Sequence, residues 1–324
     1  MKILVVCSYR DFISSGIAAF IEDQMKAVCA QGAECEYYLV HGKGVFGYLH
    51  EIPALRKRIR DYKPDLIHAH YGLCGLLANM ATRRVPVVST YHGSDINQDT
   101  VYRYSKYSIR LSAWNIFVSP KNIEKAVQLH AANASLIPCG IDEKLFVPMD
   151  KEDCRRQLAE RGKWKAESGR KYVLFSKMFT DDVKDYPLAK KVIERVKELV
   201  KEKVELLEFN GFTREESAML INAVDAVLLT SKTEGSPQVI KEAMSCGCPI
   251  VSVDVGDVKE RISDVDGCYM AKSRDAEELA TLLKKALEYK GKTKGREALL
   301  KQNLSNTLIA EQIMHIYQKL LKEK

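Results

Sequence analysis

The residues best suited to chemistry fall in one stretch, Asp225-Ala-Val-Leu-Leu-Thr-Ser-Lys-Thr-Glu234-Gly235-Ser236-Pro237-Gln-Val-Ile-Lys-Glu242-Ala-Met-Ser-Cys246-Gly247-Cys248-Pro249-Ile-Val251. It reads as strand, loop, helix, tight turn and strand. Ser236 suits a helix N-cap and Pro237 the first helical position. Gly235 lets a ligand come close to the backbone. The N–H groups of such a helix start hold phosphate. Glu234 precedes the helix and Glu242 lies inside it, eight residues on. Two carboxylates beside a phosphate site suit the hydroxyls of a sugar and of a ribose. On spacing alone a helix with acidic surface residues is the better reading, since glutamate is common. The flanking strand, the Gly-Ser-Pro step and the Cys-Gly-Cys-Pro turn together favour the ligand site.

Other candidates are weaker. His68 and His70 stand two apart and share one strand face, but no third metal ligand is in view. His92 sits in a loop with Gly93, Ser94 and Asp95, where a hydrogen-bonded loop histidine is the plain alternative. Ser15-Gly16 opens a helix after the first strand, which suits approach of an acceptor or phosphate as well as a simple tight turn. Gly211-Phe212 ends a strand and is placed to lie beside a nucleotide base. Cys246 and Cys248 are the one close cysteine pair among nine. They lack the Cys-x-x-Cys spacing and further ligands of a zinc site. An odd number of cysteines, mostly in apolar surroundings, argues for free thiols in a reducing compartment.

These residues need elements to carry them. The 324 residues, 46% hydrophobic and 29% charged, allow about two globular domains. Short apolar runs predict strands at 2–7, 36–40, 65–69, 86–90, 115–119 and 134–137, then at 172–176, 204–209, 226–230, 249–253 and 267–270. Helical patterns intervene. Ile17, Phe20, Ile21, Met25 and Val28 share a face, and Ser119-Pro120 opens a helix through Leu129. Further helices are predicted at 187–201, 213–223, 237–246 and 275–289. Thr213 to Glu216 and Asp275 to Glu278 fit capping boxes. Such alternation means βαβ units and parallel sheets. The junction falls near 141–148, followed by a linker and surface helix over 150–170. The chain closes on the helical face Leu308, Ile309, Ile313, Ile316, Tyr317 and Leu320. The class is α/β, with an N-terminal domain over 1–148 completed by the C-terminal helix (304–324) and a second domain over 149–303. Ligands of such sheets bind at the loops leaving the strands.

No run of about 20 apolar residues is present, so no helical span is predicted. The N-terminal Met1 to Cys7 reads as a buried strand rather than a signal peptide. The net charge of +7 is densest at Arg56-Lys57-Arg58-Ile59-Arg60. That run is either a solvated helix face or a surface drawn to anionic lipid or a phosphorylated substrate. No recognition motif accompanies it, which excludes nucleic acid as the expected partner.

The segment at 234–242 resembles the Glu-x7-Glu signature of the family 4 retaining glycosyltransferases, which have the GT-B fold of two Rossmann-like domains facing across a cleft. Leu136-Ile-Pro-Cys-Gly-Ile-Asp142 with Phe146 and Pro148 is similar to that family's interdomain segment. Val183-Lys184-Asp-Tyr-Pro-Leu188 is similar to its donor-phosphate lysine loop. Asp65-Leu-Ile-His-Ala-His70-Tyr71 and Tyr91-His92-Gly-Ser-Asp95 are similar to its N-domain cleft loops. The likeness covers nearly the whole chain. It implies that Glu242 binds the donor ribose, that Glu234, Gly235, Ser236 and Pro237 hold the sugar and diphosphate, and that Lys184 neutralises the leaving diphosphate in place of a metal. It also implies that His92 faces the reacting sugar, with Ser15, Gly16 and His70 on the acceptor side. Two departures stand out. The family often carries an arginine after the first strand of the second domain, where this chain has Ser176-Lys177-Met178; either Lys177 substitutes or the diphosphate is held by Lys184 and the helix start. The N-terminal loop has one glycine, Gly16, where many members have two.

The expected activity is retaining transfer from a UDP- or GDP-linked sugar to a sugar or lipid-linked acceptor, without a metal cofactor, in polysaccharide or glycolipid assembly. The expected location is cytoplasmic, with peripheral contact at an anionic membrane face. The rivals are a nucleotide-sugar epimerase on the same fold and a non-catalytic nucleotide-sugar-binding subunit. A dehydrogenase is disfavoured because Gly-x-Gly-x-x-Gly is missing after the first strand.

Overall fold

The computed structural model describes residues 1–11, 15–128 and 133–322. Apolar runs form strands wherever the sequence predicts them, with ends shifted by up to two residues. In chain order the first part is β1 (Lys2–Ser8), α1 (Ala19–Ala30), β2 (Glu34–Val40), α2 (Gly44–His50), α3 (Ile52–Tyr62), β3 (Leu66–His70), α4 (Gly72–Ala81), β4 (Val87–Tyr91), α5 (Ser94–Asn97), α6 (Asp99–Leu111), β5 (Trp114–Phe117), α7 (Pro120–Gln128) and β6 (Ala134–Leu136). The second is α8 (Lys151–Glu160), β7 (Arg170–Phe175), α9 (Tyr186–Leu199), β8 (Lys203–Glu208), α10 (Arg214–Ala223), β9 (Ala226–Leu229), α11 (Gln238–Cys246), β10 (Ile250–Val253), α12 (Val258–Ile262), β11 (Cys268–Ala271), α13 (Ala276–Glu288) and α14 (Gly295–Lys301). The chain closes with α15 (Asn306–Lys322). Leu129, expected to end α7, lies outside the described residues.

Two compact units result. One comprises 1–140 with 306–324, and the other 141–305, so residues 141–148 group with the second unit. The first unit holds a parallel sheet in the order β2-β1-β3-β4-β5-β6. Its inner strands β1, β3 and β4 are buried on both faces, while the edge strands β2 and β6 are partly exposed. The second unit holds a parallel sheet in the order β11-β10-β9-β7-β8. In each sheet the chain starts in the interior and reverses direction once. The reversal falls between β1 and β3 in the first unit, and between β7 and β9 in the second. Loops leaving the strands at such a switch point form the crevice where ligands of these sheets sit.

The caps obey local chemistry, with two adjustments. Thr213 and Glu216 make the reciprocal capping box. Asp275 caps α13 by accepting from the Glu278 N–H, but the Glu278 carboxylate turns away to the backbone N–H groups of Lys272 and Ser273, so the box is half formed. At α7, Ser119 occupies the cap position through its carbonyl, while its buried hydroxyl has no partner among the described residues.

Candidate active site

In the second unit the loops after β7 and β9 converge on the switch point. The lysine loop is stitched to the loop after β9: the Lys232 N–H donates to the Val183 carbonyl (2.8 Å), and the Thr230 hydroxyl to the Lys184 carbonyl (2.8 Å). Lys184 Nζ ion-pairs with Glu234 Oε1, which also accepts from the Ser231 hydroxyl (2.7 Å). Lys184 and Glu234, 50 residues apart in sequence, therefore form one polar centre, each about one-seventh exposed. Arg274 supports it from β11's far end, donating to the Ser231 carbonyl (2.6 Å) and the Thr230 carbonyl (2.9 Å).

Glu242 is buried in α11 and paired with Arg214 (2.6 Å), whose guanidinium also lies 4.7 Å over the Phe146 ring. A buried carboxylate needs such a partner. Ser236 departs from expectation. The N-cap of α11 is Pro237, which has no side chain to cap with, and Gln238 opens the helix. The Ser236 hydroxyl is taken by a buried network instead: it donates to Asp257 (2.7 Å), Lys241 Nζ donates to it (2.8 Å), and Arg261 donates to Asp257 (3.0 Å). The Gly235 carbonyl is also pressed by Gly256, where a Cβ would lie 2.4 Å from it. The loop is thus fixed from beneath, and its cap chemistry is spent on tertiary contacts.

The remaining donor-side candidates sit around the same loops. Ser176, which follows β7, is buried with its hydroxyl unpartnered among the described residues. Lys177 pairs with Asp181 (3.2 Å) and is more than a third exposed, so its charge is already matched. Gly211 turns the chain at φ +79° and its carbonyl accepts from Lys163 (3.2 Å); Phe212 lies 6.5 Å from Phe209, ring to ring.

In the first unit a column of rings runs through the ends of β3 and β4. His68 and His70 are wholly buried and stacked at 4.3 Å; His70 stacks on His92 at 5.3 Å and shares a 3.0 Å hydrogen bond with it. Tyr317 of α15 bonds His68 Nδ1 (2.5 Å), and Thr90 bonds His68 Nε2 (2.7 Å). Burial pushes the His68 ring down to about 3 and that of His70 well below the usual histidine range, so both are neutral. Asp95 fixes the His92 loop by accepting from the N–H groups of Gly72 (3.0 Å), His92 (3.0 Å) and Gly93 (2.9 Å). Ser15 is exposed and bonds the Ile17 N–H (3.3 Å). Gly16 turns at φ +72°, and the group that comes close to it is the Tyr9 ring, 2.4 Å from where a Cβ would stand.

Two family profiles match the chain, "Glycosyltransferase Family 4" over residues 28–145 and "Glycosyl transferases group 1" over residues 185–289. The chain belongs to the family 4 glycosyltransferases. Among similar proteins, the teichuronic acid biosynthesis glycosyltransferase TuaC of Bacillus subtilis is 28% identical over 61% of this chain, and the chain spans 55% of TuaC's length. The N-acetyl-alpha-D-glucosaminyl L-malate synthase of Bacillus anthracis is 25% identical over 85% of each chain. Among solved structures, the sucrose-phosphate synthase of Thermosynechococcus elongatus superposes with a TM-score of 0.82 at 16% identity over all of both chains. Anabaena Alr3699/HepE, solved with UDP, superposes with a TM-score of 0.72 at 19% identity over 98% of this chain and 100% of that one. The fold of this glycosyltransferase is accordingly GT-B.

Several residues of the glycosyltransferase were invisible to motif reading. Arg214 lies 28 residues from its partner Glu242, and no local spacing announces the pair. Lys241, which no motif singles out, is fully buried on Ser236. Asp95 gave no such signal either: an Asx turn would have its carboxylate accept from the N–H two residues on, whereas here it accepts from the preceding Gly93 and His92 and from the distant Gly72.

Proposed function

We propose that the second unit binds a UDP- or GDP-linked sugar and that the protein transfers the sugar, with retained anomeric configuration, to a hydroxyl of a sugar or lipid-linked acceptor on the first unit. The observation that carries this reading is the Lys184–Glu234 centre beside the start of α11 at a switch point, with Glu242 buried behind it. That HepE is solved with UDP supports a nucleotide donor, and the relatives' names support polysaccharide or glycoconjugate assembly.

In this reaction the acceptor oxygen bonds to the anomeric carbon on the face the diphosphate leaves. The carbon–diphosphate bond breaks with its electron pair on the diphosphate, and the acceptor proton passes to a diphosphate oxygen. Lys184 and the N–H groups of the first turn of α11, which lack intrahelical acceptors, stabilise the developing negative charge. Glu234 and the Gly235-Ser236-Pro237 backbone hold sugar and diphosphate, Glu242 the ribose, and His92 faces the reacting sugar. Cations already supplied by the protein replace a divalent metal. The test is turnover of UDP- and GDP-sugars followed by proton NMR of the product's anomeric coupling, with and without chelator. Retention and chelator-resistant turnover are expected. An inverted product sinks the retaining mechanism; activity lost to chelation and restored by magnesium or manganese sinks the metal-free one.

A further inference from the structure

The first unit has its own switch point, between β1 and β3, and the residues leaving those two strands meet there. Arg10 follows β1, and its guanidinium carbon lies 5.3 Å over the ring of Tyr71, which follows β3. Arg10 is half-buried, and its backbone is tied to the Gly16 carbonyl (2.9 Å). The groups that act on it most strongly are Tyr71, which also hydrogen-bonds it, then Tyr48 and Cys74, with Cys7 in range as well. The nearby Asp11 is paired with Lys43 (3.6 Å). Among the described residues, then, Arg10 has no carboxylate counter-ion. Burial raises the Tyr71 hydroxyl to about 12, so the phenol is neutral and leaves the positive charge uncompensated.

Tyr71 carries a second mark. Its backbone is at φ 76°, ψ 150°, a region that bulky side chains avoid. The neighbouring bonds hold it there: the Tyr71 N–H donates to the Thr90 carbonyl (2.9 Å) and the Gly72 N–H to buried Asp95 (3.0 Å). Backbone strain of this kind gathers at ligand sites. The strain aims the Tyr71 ring between Arg10 and His92, whose ring centre is 5.0 Å away.

We propose that Arg10, seated on Tyr71 at the β1–β3 switch point, is a specificity residue that recognises an anionic group, a carboxylate or a phosphate, on the acceptor. A guanidinium is a planar fork that matches either anion with paired hydrogen bonds. Placed on a strained aromatic platform at the ligand-binding end of the sheet, it selects acceptors that bring the missing negative charge. The inference rests on the reading of this unit as the acceptor half.

The experiment uses the full chain with UDP present and saturation-transfer NMR with three probes: D-glucose, D-glucuronate and D-glucose 6-phosphate. Wild type is expected to bind at least one anionic probe in preference to glucose. Glucuronate alone identifies a carboxylate acceptor, and glucose 6-phosphate alone a phosphorylated one. Arg10→Gln should weaken the anionic probe by about 10- to 100-fold, the value of a charged hydrogen bond, while UDP affinity and melting temperature stay unchanged. Arg10→Lys should recover part of the loss. If Arg10→Gln does not fold, the salt dependence of wild-type glucuronate and glucose 6-phosphate binding gives the same reading without a variant. Equal binding of glucose and the anions, binding indifferent to Arg10 or to salt, or no binding of any probe overturns the proposal. Failure of UDP- and GDP-sugars to bind, with anion binding retained, sinks the transferase reading instead and leaves the Arg10 site standing.

Discussion

His68 and His70 are stacked inside β3 and held neutral, whereas in the unfolded chain each titrates near 6.5. Below that value the unfolded state binds protons that the folded state does not, so both histidines remove stability as pH falls. Asp95 works in the opposite sense. Burial raises its carboxyl to about 6 from 3.8, with the N–H groups of Gly93, Gly72 and His92 pulling it back. Between about pH 4 and 6 the folded state holds that one extra proton, which adds stability as pH falls. Two protons against one leave a net loss of about 1.4 kcal/mol per pH unit over this window. Urea titrations from pH 7.5 to 4.5 should show it, and His70→Asn should flatten the slope by about one proton. An unaltered slope in His70→Asn would mean that His70 is charged in the native state. The two-residue spacing revealed the shared strand face of this pair. It could not reveal that the occupant of that face would be Tyr317, because that contact joins positions 249 residues apart.

Among the elements, the turn before α12 has the most direct hold on the donor loop. Gly256 adopts φ +58°, and a Cβ there would stand 2.4 Å from the Gly235 carbonyl oxygen and 3.2 Å from Glu234 Cβ. Backbone cannot give way as a flexible side chain does, so Gly256→Ala must move the loop that carries Glu234. The positive φ adds about 1–3 kcal/mol of strain by itself. Calorimetry is expected to show a lower melting temperature and weaker nucleotide-sugar binding; a variant that binds as wild type would disconnect this turn from the site. Period-2 and buried apolar runs made every strand legible, and the capped helices α9, α10 and α13 were equally readable. The helix α4 was not, since Gly72-Leu-Cys-Gly-Leu-Leu-Ala-Asn-Met-Ala81 is apolar almost all round and has no side-chain cap. Its glycines serve packing: a Cβ on Gly72 or Gly75 would strike Ser105 or Ser108 of α6. The start of α11 was misread for a related reason. Ser236 has the right type for a cap, but the buried Lys241 and Asp257 compete for its hydroxyl and win.

For the molecule as a whole, the fold and the polar centre of the second unit could be anticipated, because both depend on runs and loops of contiguous sequence. The charge balance of the surface could not. Of the four cations in the run at 56–60, Arg58 pairs with Glu36, and Arg56 donates to the carbonyls of Met80 (3.0 Å) and Ala81 (3.3 Å) at the end of α4. That leaves Lys57 and Arg60 for a membrane, although Arg83, Arg84 and the exposed Met80 and Leu111 lie on the same unit around a cavity of about 720 Å³. No helix among the described residues is long and apolar enough to cross a bilayer. At about 1 kcal/mol per cation near an anionic surface, Lys57 and Arg60 give weak, salt-sensitive contact at most. Co-sedimentation with anionic liposomes at low and high salt, against a Lys57→Gln/Arg60→Gln variant, should show a partial loss; identical pelleting of the two would remove this helix from membrane contact.

The chain's two tryptophans divide between the units, which gives each unit its own reporter. Trp114 starts β5, donates to the Ser135 hydroxyl (3.0 Å) and lies 4.7 Å beneath the Lys319 ammonium. Trp164 packs edge-on against Tyr172 of β7, at 4.7 Å. Both surroundings are lost on unfolding, so Trp114→Phe leaves a protein whose fluorescence reports the second unit, and Trp164→Phe one that reports the first. A ligand that binds only the native state of one unit stabilises that unit by about 2.7 kcal/mol at 100 times its dissociation constant. The assignment of the donor to the second unit therefore predicts that saturating UDP or GDP raises the Trp164 transition by at least as much as the Trp114 transition. It also predicts that Glu242→Ala diminishes the Trp164 shift, since a lost hydrogen bond to a charged group is worth about 1.5–3 kcal/mol. A nucleotide that raised the Trp114 transition alone would move the donor site to the first unit, and with it the roles given to Lys184, Glu234 and Glu242.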